Sequence, residues 1–178
     1  MQVHHINKIL SEKDYDWINQ LSKDYLDDNS TKPNFSWDHT IKEFSQPVYI
    51  KGIHDASDLW RVKQSISHHD ISPLNKNCVK GVLLYYWSPG SYIPWHTDKK
   101  YSAGLTIYLN EEWDYQMGGL FNYKYDYGVR TVVPQKNTGV LQVGGVPHST
   151  TITSEKSPIR RTVQIFFDEF KDETKSII

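Results

Sequence analysis

From residue 79 to residue 167 the chain is a series of about eight short β-prone runs, mostly separated by glycine, proline or asparagine turns. They fall at 79–87, 92–98, 103–110, 120–125, 129–133, 139–143, 148–153 and 160–167. In the third, Leu105, Ile107 and Leu109 alternate with Thr106 and Tyr108, the period of a strand with two different faces. Pro89-Gly90, Gly118-Gly119 and Gly144-Gly145 mark turns between runs. Short strands at this spacing give a β-sandwich or barrel.

The first part of the chain has a different texture. Residues 3–10 read as a short strand. Ser11, with Asp14 three later, reads as a helix start. Trp17, Ile18, Leu21 and Tyr25 then recur at helical spacing, and Asp27-Asp28-Asn29-Ser30 ends the helix. Residues 30–50, with Pro33 and Pro47, read as polar and irregular. Residues 55–69 read as a second helix with Leu59, Val62 and Ile66 on one side. A length of 178 residues suits one domain. The expected architecture is therefore mainly β with N-terminal helices: helical support over about 1–75 buttressing a barrel core over about 79–168.

Twelve tyrosines and six tryptophans, with 13% aromatic residues overall, favour β structure with aromatic-lined grooves. A net charge of -1 provides no global positive field, so nucleic acid is not expected as the main partner. Cys78 is the single cysteine, so no internal disulfide forms and a reducing, cytoplasmic location is expected. Residues 1–10 lack the apolar run of a secretory signal, and no stretch approaches the ~20 apolar residues that span a bilayer.

The strand-rich half carries the chemistry. His96-Thr97-Asp98 ends the second run, and His148 begins another run 50 residues beyond Asp98. Residues two apart on a strand project to one side, which would put His96 and Asp98 on a common face. Two imidazoles and one carboxylate can occupy one face of a metal and leave the opposite positions open, an arrangement suited to Fe(II) and oxygen chemistry. Arg160 and Thr162 share a face of the last run, where a guanidinium and a hydroxyl can grip a carboxylate. Arg161 is the rival for that role, but alternation points it the other way. The Tyr108 hydroxyl could reach the same carboxylate. His4-His5 and His68-His69 are adjacent pairs that diverge on a strand or helix, and with His39 and His54 they read as structural or surface residues. Lys99-Lys100 reads as a solvated turn.

Several segments then form an ordered set. Tyr85-Tyr86-Trp87-Ser88-Pro89-Gly90 precedes His96-Thr97-Asp98, and Leu105-Thr106-Ile107-Tyr108-Leu109-Asn110 follows. After Gly118-Gly119-Leu120 and Val133-Pro134 come Gly139-Val140-Leu141, Pro147-His148 and Arg160-Arg161-Thr162-Val163-Gln164-Ile165-Phe166-Phe167. Over about half the chain this resembles the Fe(II)/2-oxoglutarate-dependent dioxygenases, most closely the prolyl 4-hydroxylase-like subgroup. The resemblance implies a double-stranded β-helix, a jelly-roll or cupin-like barrel of two sheets. It implies His96, Asp98 and His148 as iron ligands, and Arg160, helped by Thr162 and Tyr108, as the site for the distal carboxylate of 2-oxoglutarate. Tyr86 matches a position near that co-substrate, with Trp87 competing for the same place. Fe(II), 2-oxoglutarate and O2 are implied, with ascorbate as an accessory reductant. The implied reaction hydroxylates a C–H bond and releases succinate and CO2.

Two departures from the family pattern stand out. The 12-residue step from His148 to Arg160 is slightly long, implying an extended turn through Ser154 to Pro158. Leu120 replaces a commonly polar residue. The implied substrate is a prolyl residue in a peptide or protein, with a free amino acid or other small molecule as the alternative. Nucleic-acid repair dioxygenases typically add an arginine six residues after the co-substrate arginine; here that place is Phe166. Trp95, Tyr92 and Tyr123 are candidates to line a substrate entrance or simply to pack a ring-rich sheet. A non-oxygenase cupin-type metal-binding protein is the alternative of another class, though it would have no need of Arg160 and Thr162.

Overall fold

The computed structural model describes residues 2–27, 32–34, 44–66 and 78–168. His39, His68 and His69, residues 28–30 at the expected helix end, and residues 67–69 of the expected second helix lie outside the described residues. The elements run β1 (Gln2–Asn7), α1 (Glu12–Leu26), β2 (Lys32–Asn34), β3 (Val48–Gly52), α2 (Ala56–Ile66), β4 (Val79–Trp87), β5 (Ile93–His96), β6 (Ala103–Tyr108), β7 (Phe121–Tyr125), β8 (Gly128–Val132), β9 (Thr138–Val143), β10 (His148–Thr150) and β11 (Arg160–Phe167).

The described strands form two antiparallel sheets, a larger one ordered β1-β9-β6-β11-β4-β3-β2 and a smaller one ordered β5-β10-β7-β8. Chain neighbours repeatedly fall in opposite sheets, as when β4 of the larger sheet leads to β5 of the smaller. Strand alternation then gives the larger sheet two different faces. Leu84, Tyr86, Leu105, Ile107, Val163 and Ile165 point one way and are buried in one cluster with Tyr15 and Ile18 of α1 and Val62 and Ile66 of α2. Tyr108 and Val140 point the other way and join Phe121, Tyr123, Val132 and Val146 between the sheets. The interior between the sheets holds the functional residues.

Each helix begins where a side chain takes up its free amides. The Ser11 hydroxyl accepts from the amide of Asp14 at 3.2 Å and donates to the Asp14 carboxylate at 2.7 Å. At α2, the Asp55 carboxylate accepts from the amides of Ser57 and Asp58 at 2.8 and 3.1 Å. The β1–α1 corner is clamped by Asn137, whose side chain amide exchanges two hydrogen bonds of 2.9 Å with the main chain of Leu10. The Tyr15 hydroxyl donates to the Leu109 carbonyl at 2.8 Å, tying α1 to the end of β6.

Three sequence expectations are revised. Residues 30–50 are not wholly irregular: Val48-Tyr49-Ile50 pairs with Tyr85-Tyr86-Trp87 and continues the larger sheet as β3, followed by β2. The run is too short to show a period of its own, and its partner is remote in sequence. Second, β10 stops at Thr150, and its register with β5 shifts between His148 and Thr150. Third, β5 stops at His96, so Asp98 is not carried by the strand. It lies at the start of the following turn, which is closed by the Tyr101 amide donating to the Asp98 carbonyl at 2.9 Å.

Candidate metal and anion site

His96 ends β5 and His148 begins β10, and the two pair across the smaller sheet. Asp98 turns back from the next loop to meet both. Its carboxylate oxygens lie 3.8 Å from Nε2 of His96 and 3.6 Å from Nε2 of His148. One ligand atom from each of the three residues falls within 4.8 Å of the others, and this is the only such group of three or more among the described residues. Each imidazole is oriented by the same device. Nδ1 of His96 lies 2.8 Å from the Pro94 carbonyl, and Nδ1 of His148 lies 2.8 Å from the Val146 carbonyl. A carbonyl only accepts, so each Nδ1 carries the proton and each Nε2 presents a lone pair toward Asp98. Burial, reinforced by the neighbouring His96, holds the His148 imidazole below its usual pKa, which favours the neutral, ligating form. The rings of Phe121 and His148 stack at 5.4 Å between centroids, fixing the plane of the second imidazole.

The same cavity, about 110 Å³, contains Arg160. Arg160 is 1% exposed, and its Nε and Nη1 atoms have no hydrogen-bond partner among the described residues. Among the described residues, no carboxylate pairs with it. Its guanidinium lies between aromatic faces, 4.8 Å from the Trp87 ring and 5.1 Å from the Tyr108 ring. Burial lowers its pKa to about 10 and pushes the Tyr108 hydroxyl up to about 12, each effect opposed by the other group. The buried Tyr108 hydroxyl interacts with the Arg160 guanidinium but makes no well-aligned hydrogen bond among the described residues. A buried cation and a buried hydroxyl side by side without well-aligned partners are costly unless an anion completes them.

Arg161 has the opposite orientation. Its guanidinium donates to the main-chain carbonyls of Asn19 and Leu109 at 3.3 and 3.4 Å, on the helix side of the sheet. Thr162 is in register with both Tyr108 and Tyr85 and is buried. The Trp87 indole lies 3.4 Å from its hydroxyl.

Tyr86 is a correction. Its neighbours Tyr85 and Trp87 line the cavity. Tyr86 itself alternates to the helix side, where its hydroxyl donates to the Ser22 carbonyl at 2.8 Å. The ring beside Arg160 is that of Trp87. Trp95, Tyr92 and Tyr123 do not line the cavity. Tyr123 packs between the sheets, whereas Trp95 is 45% exposed.

Residues not singled out from the sequence complete the lining, notably Tyr85, Thr106, Phe121, Gln142, Gln164 and Phe166. Alternation from Arg160 would have found Gln164 and Phe166, and alternation from Tyr108 would have found Thr106. The glycine pair also contributes. At Gly119, with φ of 62°, a Cβ would stand 2.9 Å from Cδ of Arg160 and 3.0 Å from Cγ2 of Thr153. The missing side chain leaves room for the arginine stem.

No family model matches the sequence. No curated protein matches it either. Solved structures do. A prolyl-4-hydroxylase from Pseudomonas putida is 17% identical, with 94% of this chain and 92% of that chain covered and a TM-score of 0.72. A prolyl hydroxylase from Trichoplax adhaerens, in complex with a hypoxia inducible factor oxygen degradation domain peptide fragment, is 14% identical. It covers 98% of this chain and 87% of its own, with a TM-score of 0.70. The non-heme alpha ketoglutarate dependent epimerase SnoN from nogalamycin biosynthesis is 11% identical, with coverages of 93% and 78% and a TM-score of 0.68. This chain shares their fold. At these identities the likeness extends to architecture, and the chemistry must be argued from the site itself.

Proposed function

We propose that this chain is an Fe(II)- and 2-oxoglutarate-dependent oxygenase that hydroxylates a C–H bond. The observation that carries the reading is the pairing, in one cavity, of a His-Asp-His group with a buried arginine that has no acidic partner among the described residues. A metal-binding cupin would have no use for Arg160. Helices α1 and α2, whose apolar side chains share the cluster behind the larger sheet, are read as its support.

The residues suit both groups. His96, Asp98 and His148 offer two neutral nitrogens and one carboxylate, a set that leaves positions open on the metal. Arg160 offers unpaired N–H groups to a carboxylate, and the Tyr108 hydroxyl beside it offers another donor, with Thr162 in the next register position. A five-carbon 2-oxo diacid, whose two ends are chemically distinct, matches a cavity with a cation at one end and a metal site at the other. When bound, Fe(II) supplies the redox chemistry that couples loss of CO2 from 2-oxoglutarate to oxygen insertion into a C–H bond. O2 contributes one oxygen atom to succinate and the other to the hydroxylated product.

The chain's own residues bind, orient and shield. Arg160 selects a dicarboxylic acid over a monocarboxylic one, because a buried guanidinium without its anion is penalised. The Pro94 and Val146 carbonyls hold the two imidazoles in the ligating tautomer. Trp87, Ile93 and Phe121 form apolar walls that exclude water from the reacting centre. A prolyl residue in a peptide is the favoured substrate, supported by the two prolyl hydroxylases of like fold. A small molecule is the second reading, supported by the likeness to SnoN.

Purified protein given Fe(II), 2-oxoglutarate, oxygen and ascorbate should release succinate. Proline-containing peptides should stimulate that release above the level without substrate, whereas His96→Ala or Asp98→Ala should remove it. Failure to bind or turn over 2-oxoglutarate in the iron-loaded protein would refute the proposal. Stimulation by free amino acids alone would favour the second reading.

A further inference from the structure

Farther along β11 from Arg160, the cavity lining changes character. Asp98 and Arg160 are the only charged groups in its described lining, and the proposal above already engages both. The far end is instead furnished with two carboxamides and an aromatic shelf. Gln142 on β9 is 6% exposed, lines the cavity and makes no side-chain hydrogen bond among the described residues. It also borders a small adjoining recess with Asp98, Tyr101 and Gly104. Gln164 on β11 accepts from the Thr106 hydroxyl through Oε1 at 2.6 Å. That bond leaves its Nε2 hydrogens for another partner. Gly104 lies between these groups, in register with Gln142 on one side and Phe166 on the other. A Cβ at Gly104 would come within 3.3 Å of Gln164 Nε2. Phe166 stacks on Tyr101 with 4.2 Å between centroids and 25° between planes.

We infer that Gln142 and Gln164 recognise a neutral amide group of the substrate, lying flat against the Phe166–Tyr101 shelf, and so determine which substrates are accepted. The inference rests on the oxygenase reading and names the substrate chemistry of the same site. A carboxamide is complementary to another amide, since each offers a donor and an acceptor in one plane. The charged groups bordering this end are Asp98, which a bound metal would engage, and Lys100, whose Nζ lies 5.5 Å from the Tyr101 ring, so an uncharged substrate group suits it better than a cation. The co-substrate does not account for these residues. Gln164 is four residues along β11 from Arg160, about 13 Å of strand at ~3.3 Å per residue. A five-carbon acid anchored at Arg160 is much shorter than that span. A buried polar site of this kind discriminates strongly, because a ligand without the matching group strands its donors.

The test uses Fe(II)-loaded protein under nitrogen, with 2-oxoglutarate added, and three small probes: N-methylacetamide, 2-butanone and tetramethylammonium. Paramagnetic relaxation of the probe methyl protons reports binding beside the metal. The visible charge-transfer absorption of the iron-bound 2-oxo acid reports co-substrate binding and an intact fold. N-methylacetamide should bind about fivefold more tightly than 2-butanone, the effect of about one hydrogen bond, and tetramethylammonium should not bind. Gln142→Leu and Gln164→Leu should each weaken N-methylacetamide by about fivefold and leave the charge-transfer band unchanged. Gln142→Glu, which keeps the shape, should shift preference toward tetramethylammonium. Equal binding of the three probes, or unchanged amide binding in the variants, would overturn the inference. Loss of the band in the leucine variants would overturn it too, by assigning these residues to the co-substrate. Absence of the band in the wild type would refute the oxygenase reading, and the probes measured with metal alone would still decide the present one.

Discussion

Two adjacent arginines on β11 show how a single residue step divides function from structure. Arg160 enters the cavity with no carboxylate partner among the described residues, and Arg161 is bonded to the main chain behind the sheet. Arg160→Ala should raise the 2-oxoglutarate requirement by about 10- to 100-fold, the range of a charge-assisted interaction of about 1.5–3 kcal/mol. Arg161→Ala should leave that requirement nearly unchanged and instead lower the midpoint of urea unfolding. The reverse order in the two assays would refute the assignment. Tyr86 and Trp87 divide in the same way. Tyr86→Phe removes a buried bond to Ser22 and should cost about 1 kcal/mol of stability with little effect on co-substrate affinity. Trp87→Leu removes an aromatic face from Arg160 and should weaken 2-oxoglutarate binding. Isothermal titration of each variant separates the two outcomes.

The elements explain why some of this was legible in the sequence and some was not. β11 could be read almost residue by residue, because 160–167 is long enough to show its alternation and Arg160 fell on the expected face. Ser11 announced α1 through a local hydroxyl-to-amide bond that needs only three residues. β3 was missed because Val48-Tyr49-Ile50 becomes a strand only against β4, a partner more than thirty residues away. Asp98 meets His96 by a turn and not by strand alternation, so the grouping expected from the sequence arises through a different local geometry. Tyr86 was misplaced because a family resemblance fixes order along the chain without fixing which of two neighbouring rings faces inward. The glycine pair before β7 gives a prediction at this scale. Gly119→Ala places a Cβ 2.9 Å from the Arg160 stem in a left-handed backbone conformation. It should cost about 1–2 kcal/mol in denaturant unfolding and also raise the 2-oxoglutarate requirement. A stability loss with unchanged co-substrate affinity would mean that the close approach does not position the arginine.

At the scale of the whole molecule, the two sheets bring His96, His148 and Arg160 from separate strands to one interior, so ligand binding and folding should be linked. Among the described residues, no helix is long and apolar enough to cross a membrane. A ligand present at 100 times its dissociation constant adds about 2.7 kcal/mol. At roughly 2–4 °C per kcal/mol for a chain of this size, that raises Tm by about 5–10 °C. Fe(II) and then 2-oxoglutarate should raise Tm in successive steps, and a chelator should reverse both. In Arg160→Ala the metal step should remain and the 2-oxoglutarate step should shrink. The central claim is that one metal, held by His96, Asp98 and His148, and one 2-oxo acid, anchored by Arg160, share this cavity. The most direct measurement is an anaerobic titration of Fe(II) followed by 2-oxoglutarate, monitored by visible charge-transfer absorption. The account predicts one metal per chain, a band that appears only when both are present, no band in His96→Ala or Asp98→Ala, and a band requiring far more 2-oxoglutarate in Arg160→Ala. A wild-type protein that binds Fe(II) without forming the band, or a band that persists in His96→Ala, would contradict it.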